Sequence, residues 1–211
     1  MKITKFGHSC LLIEEGNARI LIDPGSYSTL QNSIENVDAI LITHEHFDHL
    51  DPDSIKTILA KNPKARIFTN PGVGQKLVEA DVSFDVFGNG QSITVNDVLI
   101  EWFGEIHAEI HPDYPRVANT GYRIAKKFFY GGDSLQNIVP CEVLAYPAAA
   151  PWMRVAEAIE YAKKIKPKMC FPVHDAFLKP LHPFYAMPER LLGEAGIKWL
   201  VIEDGKSVEV D

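Results

Sequence analysis

Residues 40–50 read ILITHEHFDHL, which places His44, His46, Asp48 and His49 within six positions behind an apolar run. Neither a packed core nor a solvated loop gains from three imidazoles and a carboxylate at that density. Imidazole and carboxylate donors together suit zinc, manganese or iron. His44 and His46 are two apart, so in extended backbone their side chains point to the same side and can share one ion. Asp48 and His49 are adjacent and serve best where the chain turns toward a following helix, aimed at a second ion close to the first. Two cations about 3.5–4 Å apart are the usual arrangement for metal-assisted displacement at phosphorus or carbonyl carbon.

One loop cannot complete two metal shells, so further donors are expected at distant strand ends, where α/β sheets place their ligands. His107 follows VLIEWFGEI, Asp133 follows FFYGG and His174 follows KMCFPV. The glycine pair before Asp133 allows a sharp turn and a close approach. His111, four residues past His107, is the alternative to it. Asp23 in LIDPG either caps a turn before Pro24-Gly25 or accepts an imidazole N–H from a ligand histidine. His8 in FGHSC is either a hydrogen-bonded core histidine or a proton donor or substrate contact in the site. His182 in KPLHPF and Arg116, which follows Tyr114 in the loop after His107, are further candidates for touching substrate. For both, the ordinary reading is a surface residue.

The elements that must position these groups are legible from patterning. KITKF, CLLIEE and ARILID are strands, with a turn at Gly16-Asn17 and an end at Pro24-Gly25. VDAILIT is a continuous apolar run, as in a strand buried on both faces. DPDSIKTILAKNP is a short amphipathic helix with Asp51 or Asp53 as N-cap, and PGVGQKLVEAD is another. ARIFTN, SFDVF, QSITV and VLIEWFGEI are strands, and TGYRIA with FFYGGD forms a hairpin around Lys126-Lys127. CEVLAYP and KMCFPVH are strands; MRVAEAIEYAKKIKP and PFYAMPERLLGEAG contain helices. KWLVIEDGKSVEV is expected to close the chain as a hairpin around Asp204-Gly205. This order predicts one α/β domain over residues 1–211, a pair of sheets covered by helices on both outer sides.

Bulk properties narrow the function. A chain of 211 residues suits one domain with a substantial core. A net charge of −7 argues against nucleic acid as the main partner. It leaves room for an anionic small-molecule substrate, because bound dications would reverse the local charge. No stretch is long and apolar enough to span a membrane, and the first residues lack the apolar core of a signal peptide, so the cytoplasm is expected. Cys10, Cys141 and Cys170 form no C-x-x-C and read as small buried hydrophobes. YPAAAPWM is an interface, a wall of the active site or a buried segment, and oligomeric state stays open.

His44, His46, Asp48 and His49 reproduce the H-x-H-x-D-H signature of metallo-β-lactamase superfamily hydrolases, and the chain resembles that family nearly end to end. The opening FGHSCLLIE resembles the branch containing ascorbate-6-phosphate lactonase and the phospholipase D that cleaves N-acyl-phosphatidylethanolamine. The resemblance implies a four-layer αββα sandwich, two mixed sheets flanked by helices, with two divalent metal ions at one edge. Zinc is the first expectation, and the donors also suit manganese and iron. It implies that His44, His46 and His107 hold one ion, that Asp48, His49 and His174 hold the other, and that Asp133 bridges. Asp48 would also orient the nucleophilic hydroxide, and Asp23 would fix a ligand tautomer. The implied activity is hydrolysis of a small ester, lactone or phosphodiester. β-Lactam hydrolysis and tRNA processing fit less well, the latter for want of a basic arm. The rival reading within the fold is an iron-dependent persulfide dioxygenase or another redox member; a non-catalytic scaffold ranks last, since the ligand set is whole.

Overall fold

A computed structural model describes residues 1–179 and 181–211. The chain begins with β1 (Lys2–Gly7), β2 (Cys10–Glu15), β3 (Ala18–Ile22) and β4 (Ala39–Ile42). Helix α1 (Pro52–Lys61), β5 (Arg66–Thr69), α2 (Pro71–Glu79) and β6 (Asp85–Val86) follow. The second half opens with β7 (Ser92–Val95), β8 (Val98–Phe103), β9 (Gly121–Ile124) and β10 (Phe128–Tyr130). It continues through β11 (Val143–Pro147), α3 (Val155–Ile165), β12 (Met169–Val173), α4 (His182–Glu194), β13 (Lys198–Trp199) and β14 (Lys206–Glu209).

Two seven-stranded sheets result, ordered β14-β1-β2-β3-β4-β5-β6 and β13-β12-β11-β10-β9-β8-β7. Each is antiparallel where hairpins join its strands. Each turns parallel from β3 to β6 and from β10 to β13, with α1 and α2 crossing over in the first sheet and α3 and α4 in the second.

Strand alternation explains the layers. In β3 and β4, Ile20, Ile22 and Leu41 enter the core between the sheets, where they meet Trp102, Tyr122 and Phe171. Their neighbours Leu21, Ile40 and Ile42 point the other way, onto Ile55, Ile58, Val73 and Leu77 of α1 and α2. In the second sheet, Phe129, Leu144 and Cys170 likewise face α3 and α4. A strand whose two faces are both covered carries the unbroken apolar run seen in VDAILIT. Helix, sheet, sheet and helix stack as the expected four layers.

Asp51 is the N-cap of α1, its carboxylate accepting from Asp53 N and Ser54 Oγ. Three expectations need correction. The closing stretch is not a hairpin: β13 lies parallel to β12 in the second sheet, whereas β14 pairs antiparallel with β1 in the first. Asp204-Gly205 does turn the chain, but between sheets, with Gly205 N donating to Lys5 O at 2.7 Å. SFDVF pairs only over Asp85–Val86. VLIEWFGEI stops at Phe103, and a single bridge from Ile106 to Ala118 carries the chain to His107. The three cysteines are free, Cys10 and Cys170 buried and Cys141 half-buried. Among the described residues no helix is long and apolar enough to cross a membrane.

Candidate metal centre

Parallel pairing of β3 with β4 sets their C-terminal ends side by side, which brings Asp23 against Thr43. The fully buried Asp23 carboxylate accepts Thr43 N–H, Thr43 Oγ–H and His49 Nδ1–H, each at 2.7 Å. A carboxylate can only accept, so the His49 proton sits on Nδ1. Thr43 commits its own proton to Asp23, so its oxygen takes the His44 Nδ1 proton at 3.0 Å. One aspartate thereby turns the Nε2 lone pairs of two histidines inward.

The remaining donors are aimed by backbone. His49 N and Leu50 N both donate to His46 O at 2.9 Å, closing the turn that carries Asp48. Gly25 lies against that turn, where a Cβ would run into the Asp48 carbonyl. His107 donates Nδ1 to Ala108 O (2.6 Å), and His174 donates Nδ1 to Ala149 O (2.7 Å). Asp133 follows Gly132, which holds φ +61°. Asn119 clamps this turn, accepting Asp133 N–H at 3.0 Å and donating to Gly131 O at 2.9 Å. His8, Asp23 and His174 all sit at positive φ (51°, 44° and 60°), a strained geometry for residues other than glycine.

The side chains converge in three overlapping groups able to hold a metal ion: His44, His46 and His107; His8, Asp48, His49 and His174; and His44, His49 and Asp133. Asp133 lies between the outer two. Its Oδ2 is 3.4 Å from His107 Nε2 and 3.1 Å from His174 Nε2, and its Oδ1 is 3.4 Å from His49 Nε2. Asp48 Oδ2 is 3.5 Å from His174 Nε2 and 3.6 Å from His49 Nε2. Five buried atoms here find no hydrogen-bond partner: Nε2 of His44, His49, His107 and His174, and Oδ1 of Asp133. Buried polar atoms left unpaired are costly. Their convergence with lone pairs inward fits a dication.

Burial opposes charge on His44, His46, Asp48, His49, Asp133 and His174. It holds the His44 and His46 imidazoles below their ordinary range. It also works against the Asp48 and Asp133 carboxylates, but neighbouring imidazoles outweigh it and hold both below the usual carboxylate range. Those carboxylates in turn overcome burial at His49 and His174 and raise both, His174 to about 10. Such compensated pairs are what cations would displace on binding.

Over the cluster opens a cleft of about 540 Å³, floored by His46, Asp48, His107, Asp133 and His174. Trp152 forms one wall and donates Nε1–H to Asp133 Oδ2 at 2.7 Å.

Comparison with known proteins agrees with this centre. Residues 2–174 match the beta-lactamase superfamily domain. The chain belongs to the beta-lactamase superfamily. A Mycobacterium tuberculosis protein is 38% identical over 188 residues, spanning 85% of this chain and 86% of its own length. A Pyrococcus furiosus protein named as a metal-dependent hydrolase is 27% identical over 232 residues, with 100% of both chains covered. A crystal structure from Parabacteroides distasonis superposes with a TM-score of 0.77 at 26% identity, covering 95% of this chain and 92% of that one. Fold, family and site together make the chain a metal-dependent hydrolase of this superfamily.

Within this superfamily hydrolase, the structure brings together His44, His46, Asp48, His49, His107, Asp133 and His174, with Asp23 behind them. His111 is exposed and bonds the backbone of Asp113, away from the cluster. His8 reaches the cluster from behind. It is 1% exposed, Ala176 N–H donates to its Nδ1 at 3.3 Å, and its Nε2–H therefore points at Asp48 Oδ2, 3.1 Å away. Burial pushes His8 down to about 4, so at neutral pH it is an uncharged hydrogen-bond donor to Asp48 and not a cationic acid. Arg116 forks its Nε and Nη2 onto His107 O (2.9 and 2.7 Å) and lines a separate cavity of about 650 Å³, which shares Trp152 with the cleft. His182 begins α4, exposed and outside the cleft lining. Tyr114 does line the cleft, and so do Pro151 and Trp152 of the YPAAAPWM stretch. Sequence reasoning missed Thr43, which links Asp23 to the neighbouring His44, and Asn119 and Trp152, which reach Asp133 across 14 and 19 residues.

Proposed function

We propose that this hydrolase holds two divalent metal ions, zinc foremost, and cleaves a small ester, lactone or phosphodiester. The supporting observation is the set of five unpartnered buried atoms, four imidazole Nε2 in two groups with Asp133 Oδ1 between them. His44, His46 and His107 would hold one ion and Asp48, His49 and His174 the other, with Asp133 shared. When bound, such ions polarise the scissile carbonyl or phosphoryl group and make water acidic enough to be a nucleophile at neutral pH.

The chain's own groups then have defined tasks. Asp23, Ala108 O and Ala149 O keep ligand imidazoles in the Nε2-inward tautomer. His8 fixes one oxygen of Asp48, which is 14% exposed and opens on the cleft, in position to orient an attacking water. Trp152 fixes one oxygen of Asp133. The aromatic walls exclude bulk water around the reacting bond, which strengthens every electrostatic contact there.

The test joins metal content to turnover. Purified protein should carry close to two ions per chain, and its activity on a panel of lactones, aryl esters and phosphodiesters should vanish on chelation and return on reloading. His46→Ala and Asp133→Ala should abolish it. Protein free of bound metal, or variants that hydrolyse as well as the parent, would sink the reading.

A further inference from the structure

The cleft is unusual in what surrounds its metal-binding floor. Across the described residues, four aromatic side chains are largely exposed: Tyr27 (42%), Phe47 (61%), Tyr114 (53%) and Phe177 (48%). All four line this one cleft, together with Trp152. They come from four separate segments: the loop after β3, the turn between His46 and Asp48, the loop after His107 and the segment after β12. Every other large aromatic ring is at least partly packed away, so solvent meets these rings at a single place.

The lining holds no lysine or arginine. Arg116, the nearest sequence candidate for an anion contact, is spent on His107 O and faces the neighbouring cavity. A negatively charged group carried away from the scissile bond would therefore meet ring faces, which are themselves the negative side of the aromatic quadrupole. It would find no cation beyond those on the floor.

We infer that the substrates of this site are esters or lactones without an anionic group, bearing an aromatic or branched apolar group, which the Tyr27, Phe47, Tyr114, Trp152 and Phe177 walls enclose. The inference rests on the proposed hydrolytic reading and narrows it. Phosphorylated and carboxylated substrates are disfavoured, although net charge alone left them open. The cleft volume of about 540 Å³ suits a ligand of one or two rings. Burial of a ring against these walls supplies affinity remote from the reacting bond, available for orienting it.

Hydroxamates test this without turnover, because all share one metal-binding head. Metal-loaded protein is titrated calorimetrically with acetohydroxamate, benzohydroxamate and 2-naphthohydroxamate, then with benzohydroxamates carrying a 4-carboxyl or a 4-trimethylammonium group. Benzohydroxamate should bind at least about tenfold more tightly than acetohydroxamate, 2-naphthohydroxamate more tightly still, and the 4-carboxyl analogue about tenfold more weakly than the parent, while the 4-trimethylammonium analogue, a cation meeting ring faces, should bind no more weakly than the parent. In Tyr114→Ala and Phe47→Ala the ratio of benzo- to acetohydroxamate affinity should shrink several-fold; a ratio taken on one variant cancels any change in its metal affinity. A flat series, tightest binding by the carboxylate, or no hydroxamate binding at all overturns the inference. If the apolar preference holds while no ester, lactone or phosphodiester is cleaved, the hydrolytic reading fails and the apolar site stands. If esters are cleaved with equal kcat/KM for methyl and phenyl groups, the inference falls and hydrolysis stands.

Discussion

Replacing Asp23 isolates the part of the site that lies outside the metal shells. Its carboxylate is 0% exposed and accepts three donors at 2.7 Å: Thr43 N, Thr43 Oγ1 and His49 Nδ1. Asp23→Ala leaves at least Thr43 N–H and His49 Nδ1–H buried without acceptors, at about 1–3 kcal/mol each. The metal-stripped variant should therefore lose about 2–6 kcal/mol, a large share of the roughly 5–15 kcal/mol that holds a domain together. Asp23→Asn keeps the shape but turns one acceptor into a donor facing donors, and should cost about 1–3 kcal/mol. Metal affinity should fall further than stability explains, because both His49 and, through Thr43, His44 lose their anchored tautomer. Loss of such a supporting partner typically costs about 10–100-fold. Thr43→Val separates the two arms: it cuts the link to His44 and leaves the Asp23–His49 bond, so one ion should weaken and the other remain. Urea denaturation of metal-free protein reads the first quantity and chelator competition the second. An Asp23→Asn protein within about 0.5 kcal/mol of the parent, and within about threefold in affinity for both ions, would refute the idea that this aspartate sets the ligand tautomers.

Chelation should lower thermal stability, since metal at about 100 times its Kd contributes about 2.7 kcal/mol per site and about 5 kcal/mol for two; a scan should show a fall of roughly 10–20 °C, restored on reloading. Gly25→Ala should unfold the turn that carries Asp48 or cost more than about 2 kcal/mol, because its Cβ meets backbone. Gly193→Ala in α4, where a Cβ meets nothing within 4 Å, should be neutral or stabilising by about 0.5–1 kcal/mol in the same denaturation assay. Trp152→Phe keeps the wall but deletes the N–H on Asp133, and should weaken metal binding by about tenfold in chelator competition; unchanged affinity would leave Trp152 as wall alone. Arg116→Lys should break the forked contact to His107 O and reduce occupancy on the His107 side, shifting KM for neutral and anionic substrates alike. A KM rise confined to anionic substrates would instead mark Arg116 as a substrate contact.

The parts of this site readable in one dimension are those set by short spacing. His44, His46, Asp48 and His49 announce themselves because one turn after one strand carries them, and Asp133 and His174 because each ends an apolar run. His107 sits where it was expected for a different reason than the pattern suggested: β8 ends at Phe103, and the Ile106–Ala118 bridge and the Arg116 fork bring the chain back. Asn119 and Trp152 gave no signal because each serves Asp133 across 14 and 19 residues, and no local period encodes that. The last two strands show the same limit. Asp204-Gly205 is sound turn chemistry, but turn residues say only that the chain reverses. Which sheet receives β14 is decided by the free edge of β1, two hundred residues earlier in the chain.

Three carboxylates stand near the cleft, and their partners explain which of them are free to meet a cation. Asp48 is held by His8 Nε2–H and Asp133 by Trp152 Nε1–H. Both donors are uncharged at neutral pH, so each orients its carboxylate without adding a fixed positive charge. On Asp48 the oxygen that His8 holds, Oδ2, is also the one facing His49 and His174, and on Asp133 Oδ1 stays unpaired toward His49. Asp175 follows His174 directly and is nearly as buried, yet Lys5 and Tyr185 both donate to its Oδ2. A buried lysine consumes that charge outright, and Asp175 takes no part in the convergent groups. Adjacency in sequence would rank Asp175 beside His174 as a ligand. Pairing with a lysine removes it, whereas Asp48 and Asp133 are compensated by His49 and His174, imidazoles that give up their protons when a cation binds. Two neutral donors from distant parts of the chain thus do what the H-x-H-x-D-H spacing alone cannot: they orient the carboxylates of the site without adding a fixed positive charge.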